Sequence, residues 1–98
     1  MYTTMVDGNF DWDAANKKHI ARHKVSPEEL EQVFSNDLMY LVVEVIDGEE
    51  RCTAVGHTDR ILVLILAWTM HGTSIRPITA FNASKTMRER YLTEKGRL

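Results

Sequence analysis

The chain has one cysteine, two prolines and no apolar run long enough to cross a bilayer, and each scarcity removes a class of answer. Cys52 alone can neither close an intramolecular disulfide nor supply a four-thiolate metal site, so stability has to come from ordinary packing, which suits a reducing compartment. The few glycines and prolines leave no low-complexity tract and no Gly-rich phosphate loop. A content of 44% hydrophobic and 27% charged residues excludes wholesale disorder. The most apolar run, Ile61 to Met70, is only about half of the roughly 20 residues a spanning helix needs, and it reads as a buried strand. Met1 to Asn9 lacks a basic cluster followed by an apolar stretch, so the expectation is a cytoplasmic protein with no membrane association. Residues 1–98 suffice for one core and not two, and are expected to form one domain.

Cations are missing from one long stretch. Ser26 to Glu50 contains eight acids and no Lys or Arg, whereas Lys17, Lys18, Arg22 and Lys24 crowd the segment before it, around His19 and His23. The tail from Ser84 onward is basic again, with Lys85, Arg88, Arg90, Lys95 and Arg97 against Glu89 and Glu94. A net charge of −2 therefore hides two basic blocks flanking an acidic one. Such a layout could form a local anion-binding face, although charge alone favours a solvated, self-compensating surface.

Local signals divide the chain into elements. Phe10 and Trp12 alternate with acids and anchor an extended lead-in; Asp13 caps a short helix through about His23, with Asn16 and Ile20 on its stripe. Ser26, Pro27 and Glu29 form a capping box, Val25 and Leu30 a staple, and a helix follows to about Ser35, with Leu30, Val33 and Phe34 inward and Glu28, Glu31 and Gln32 toward water. From Leu38 the period becomes strand-like. Asp47-Gly48 suits a tight type I′ turn, and strands follow at about Glu50–His57, Ile61–Met70 and Ser74–Phe81, with Pro77 marking an edge or a bulge. Asn82 or Ser84 caps a last helix to about Glu94, which Gly96 stops. Two N-terminal helices, a four-stranded antiparallel β-meander and a C-terminal helix make an α+β fold.

Chemistry-bearing residues are few. His19 and His23 lie four apart, a spacing that permits metal binding, but no glutamate follows His19 and no third ligand is apparent, so a zinc hydrolase on the H-E-x-x-H plan is not expected. A proton-transferring or RNA-contacting pair and a structural pair both fit; imidazoles titrate near neutrality and can serve as acid or base. Arg51 and Arg76 flank the same apolar strand. If register sets them on one face they form a phosphate clamp, and otherwise each is a rim arginine lying over a sheet edge. Cys52 has the parity of a small core residue.

Phe10-Asp11-Trp12-Asp13, the run HIARHKVSPEELEQVF at residues 19–34, Gly56, Ile75-Arg76-Pro77-Ile78-Thr79-Ala80 and an Arg/Glu-rich stretch ending at Tyr91 form an ordered set that resembles the BrnT-like toxin family over about residues 10–92. The resemblance implies a RelE-superfamily-like fold, a ribonuclease that arrests translation and needs no metal or other cofactor, and a neighbouring ribbon-helix-helix antitoxin. Carried over by position, the family's motifs fall on Lys17, Lys18, His19 and His23, on Arg51, on Arg76 and on Glu89, Arg90 and Tyr91; the expected catalytic residues are His19 or His23 for proton transfer and Arg51 with Arg76 for the phosphate, with RNA contacts from Lys17, Lys18, Arg22, Arg88, Arg90 and Tyr91. Where many members carry an arginine after the alanine of the I-R-x-I segment, this chain has Phe81, one cation fewer. The partners implied are RNA and the antitoxin, in a homodimer or a toxin-antitoxin hetero-oligomer. The competing reading is a catalytically inactive binding module or corepressor that only complexes its antitoxin.

Overall fold

A computed structural model of the chain describes residues 9–96. Of the segment Met1 to Asn9 only Asn9 is described, and Arg97 of the basic tail also lies outside the described residues. The elements run α1 (Ala14–Ala21), α2 (Pro27–Ser35), β1 (Met39–Ile46), β2 (Glu49–His57), β3 (Val63–His71), β4 (Ser74–Asn82) and α3 (Lys85–Glu94). The strands form an antiparallel sheet in the order β1-β2-β3-β4.

Helices cover both faces of this sheet. Alternation sends Cys52 and Ala54 of β2 and Leu64, Leu66 and Trp68 of β3 to one face, where they meet Ile20 of α1 and Leu30 and Val33 of α2. The opposite parity sends Val55 and Val63 to α3, which presents Tyr91 with Met87 and Leu92. Gly56 sets how closely α2 lies on β2: a Cβ there would stand 2.5 Å from Val33 Cγ1 and 2.9 Å from Leu38 Cδ2.

The ends of the elements follow local chemistry. Ser26 accepts from the Glu29 amide and Glu29 returns a carboxylate oxygen to the Ser26 amide, so the capping box closes. Asp13 and Asn16 build a second box at the start of α1. The Asp47-Gly48 turn has φ of 52° and 77°, as a type I′ turn requires. Pro77 sits on an edge strand and also at a bulge, pairing with Trp68 while Thr79 pairs with Ala67.

Three expectations need correction. First, α1 stops at Ala21 rather than near His23. The amides of Lys24 and Val25 turn back to the carbonyls of Ala21 and Ile20, a Schellman closure that puts Lys24 at φ 62°. Second, Glu31 and Gln32 are half-buried: Glu31 accepts from the Trp12 indole at 2.8 Å and Gln32 from the Asp59 amide at 3.1 Å. Third, β3 starts at Val63, because Ile61 adopts φ 62° in a turn organised by the buried Thr58, whose hydroxyl accepts from the amides of Arg60 and Leu62.

Candidate functional site

The chain closes the outer side of β4 with its own N-terminal segment. Phe10 bridges Ile75 in parallel, and α1 then runs alongside β4. Asn16 pins the two together: its buried amide donates to the carbonyls of Asp11 at 3.0 Å and Pro77 at 3.1 Å. Functional side chains collect at the two ends of this α1–β4 unit.

At one end, strand register answers the question left open by sequence. Arg51 pairs with Thr69 and Thr69 with Arg76, so both guanidiniums rise from one row on one face of the sheet. Arg76 is already engaged. It donates to Asp13 Oδ2 at 2.7 Å and lies 3.6 Å from Asp11 Oδ2, while His71 Nδ1 meets that same Asp11 oxygen at 2.8 Å. The Asn16 amide, and next the Arg76 guanidinium, hold the Asp13 carboxyl below the usual carboxylate range; the bond to Asp13 in turn raises Arg76. Two carboxylates beside one guanidinium neutralise it, so Arg76 at rest clamps the start of α1. A phosphate would have to displace Asp13 to bind there.

At the other end the surface is cationic and aromatic. The His19 and His23 rings lie 5.8 Å apart, and His23 lies 5.7 Å from Phe81 of β4, which makes a ladder of three rings. His23 keeps this place although it lies beyond the last residue of α1. Lys17, Lys18, Arg22 and Lys24 surround the ladder in sequence, and all four, like both histidines, are exposed. Among the described residues no three His, Cys, Asp or Glu side chains gather as a metal site. By register Phe81 stands four ladder positions from Arg76, roughly 13 Å along the strand. Arg76 therefore shares the β4 edge with the imidazoles, whereas Arg51 lies two strands inward on β2, and the four side chains do not meet on a single phosphate.

The C-terminal residues divide. Arg88 and Arg90 are exposed on α3, and Arg90 shares a shallow depression with Glu89, Thr93 and Glu94, a setting with two acids for one cation. Tyr91, expected among the RNA contacts, is fully buried between α3 and the sheet, so no surface of it can reach RNA. Its hydroxyl donates to the Asp37 carbonyl and lies 2.8 Å from His57 Nδ1. A phenol has one proton; with that proton on Asp37, the His57 Nδ1 must be the donor. His57 and His71, which sequence reasoning did not single out, are thus tied by Tyr91 and Asp11 respectively. In the sequence His57 continues the strand alternation of Arg51, Thr53 and Val55, which gives its face but not its partner.

No helix among the described residues is long and apolar enough to cross a membrane. The family described as "Ribonuclease toxin, BrnT, of type II toxin-antitoxin system" matches residues 12–86. No curated protein matches the chain. The matched span takes in the ring ladder, both sheet arginines and the whole α1–β4 unit.

Proposed function

Since the chain belongs to the BrnT family of type II toxin-antitoxin ribonuclease toxins, with an RNA substrate and an antitoxin partner, we propose that it is a metal-independent endoribonuclease working along its α1–β4 edge. In this reading it forms one domain of RelE-like fold, arrests translation in the cytoplasm and is silenced by a ribbon-helix-helix antitoxin. The observation that carries the reading is the ladder His19–His23–Phe81, with both imidazoles exposed and the ring of Phe81 half-buried, in a segment rich in cations.

RNA cleavage without a metal needs a base to remove the 2′-OH proton, cations to stabilise the pentacovalent phosphate and an acid to protonate the departing 5′-oxygen. His19 and His23 supply two exposed imidazoles close enough to share those proton transfers. Lys17, Lys18 and Arg22 supply cations beside them, and the exposed ring faces offer a base somewhere to stack. Arg76, further down the edge, and Arg51, in the same row but two strands inward, hold a neighbouring phosphate of the same strand, with Arg88 and Arg90 as outlying cations. The antitoxin silences the site by shielding this basic face.

Separate alanine replacements of His19, His23, Arg51 and Arg76 test the assignment on induction of the gene in cells. Each is expected to abolish growth arrest while the histidine variants keep the unfolding midpoint; unchanged arrest in all four removes the assignment. One observation favours the second reading, a binding module without catalysis: Arg76 is occupied by Asp13 and Asp11, and Phe81 stands where a further cation would serve. Tight complex formation with the antitoxin, without arrest when the chain is induced alone, selects that reading.

A further inference from the structure

The opposite edge of the sheet is built differently. On β1 the apolar side chains Val42, Val43, Val45 and Ile46 are exposed by 46%, 48%, 71% and 38%. Folded proteins blunt such edges with lysine, proline or a strongly twisted strand. Here the only such feature is a bulge between Tyr40 and Val42, and beyond it the strand carries no cation and no proline. On the face that α1 and α2 cover, Val43 and Val45 continue from Tyr40, which packs edge-on against Trp68. Tyr40 also forms one wall of a cleft of about 530 Å³, whose other walls include Phe10, Phe34 and Leu38, with Glu31 at its margin. An unguarded edge, an apolar row and an aromatic cleft are therefore continuous.

The charge around them has one dominant sign. Glu44, Asp47 and Glu49 are exposed along and beyond β1, and the nearest cation in register is Arg51, opposite Glu44. We propose that β1 receives an extended segment of the antitoxin, added as a further strand, in which apolar residues alternate with Lys or Arg. The proposal rests on the toxin-antitoxin reading and deepens it, because this anchor lies across the sheet from the face to be silenced. Main-chain pairing supplies affinity, alternate side chains enter the row leading to the cleft, and the basic residues meet the acids. A second copy of this chain fits less well. Antiparallel self-pairing about Val42 and Val43 would bring Asp37 of each copy against the Asp47-Gly48 turn of the other, placing like charges together at both ends.

Calorimetric titration of the antitoxin onto the full chain tests this, with Val45→Lys, Glu49→Lys and the conservative Val45→Ile alongside wild type. Both lysine variants are expected to weaken binding by about tenfold or more, Val45→Ile to bind as wild type, and wild-type affinity to fall as salt rises. Thermal unfolding of each variant separates loss of binding from loss of fold. Unchanged affinity in both lysine variants overturns the docking site while leaving the toxin-antitoxin reading intact. A chain that elutes as a dimer when alone, and that Val45→Lys turns into a monomer of unchanged antitoxin affinity, assigns the edge to a second copy instead. A wild-type chain that fails to bind the antitoxin at all overturns both.

Discussion

The two edges of this sheet received opposite treatment. The β4 edge is finished from within: Phe10 bridges it, α1 lies along it, Asn16 ties into the Pro77 carbonyl, and Asp13 with Asp11 holds Arg76. The β1 edge carries a comparable length of strand with its apolar side chains left bare among acids. A polar, self-paired edge can carry solvent-facing chemistry without inviting strand addition. An apolar, unguarded one is stable in use only with something laid on it. On the proposed reading the difference separates a surface for RNA from a surface for a protein, with α2 and the sheet core as the common frame.

The strongest way to break the comparison is to remove the imidazoles. A purified His19→Ala/His23→Ala double variant is expected to cleave RNA about a hundredfold or more slowly than wild type, since positioned acid-base groups contribute at least that much. Its unfolding midpoint should not move, because both side chains are exposed. Next in size is the shared frame. Gly56→Ala is expected to cost about 1–3 kcal/mol in denaturant unfolding, as a new methyl drives Val33 and Leu38 off β2. It would weaken both edges alike, whereas any variant confined to one edge should leave the other's function in place.

A smaller effect belongs to the β4 edge alone. The folded Asp13 carboxyl titrates below its unfolded value, so its stabilisation is complete above the unfolded value, near pH 4, and is lost as pH falls through the folded one. Asp13→Asn keeps a cap acceptor and removes the charge. Its unfolding midpoint should therefore fall less steeply with acid than that of wild type, which a thermal melt series from about pH 6 to pH 2 measures. The smallest expected change is a gain. Lys24→Gly relieves a left-handed backbone at an exposed position and should stabilise the chain by about 1 kcal/mol in the same assay, with the ring ladder intact.

How much of this was legible depended on the reach of each interaction. Features closed within a few residues were readable: the Ser26–Glu29 box, the Asp47-Gly48 turn, Pro77 at an edge, and with them three helices and an antiparallel four-stranded sheet. Lys24 was missed because the chain offers no glycine where the helix turns back, and only the hydrogen bonds to Ile20 and Ala21 reveal the closure. Pairs far apart in sequence were not readable at all. Asp13 to Arg76, Trp12 to Glu31 and His57 to Tyr91 each need the tertiary fold to bring them together. Tyr91 shows the cost of carrying a role over by motif: an aromatic near the end of a basic helix looks like an RNA contact until packing claims its whole surface. For Arg51 and Arg76 the sequence left two faces open, and the register through Thr69 chose one.

Hydrogen exchange on the full chain tests the division of the two edges most directly, measured alone, with the antitoxin, and with a 2′-O-methyl RNA that lacks the attacking hydroxyl. RNA is expected to slow exchange along α1, the turn to Lys24 and the strand around Phe81, and the antitoxin to slow it in Val42 to Ile46 as well as over the basic face. Protection of Val42 to Ile46 by RNA, or an antitoxin footprint that leaves β1 untouched, would contradict that division.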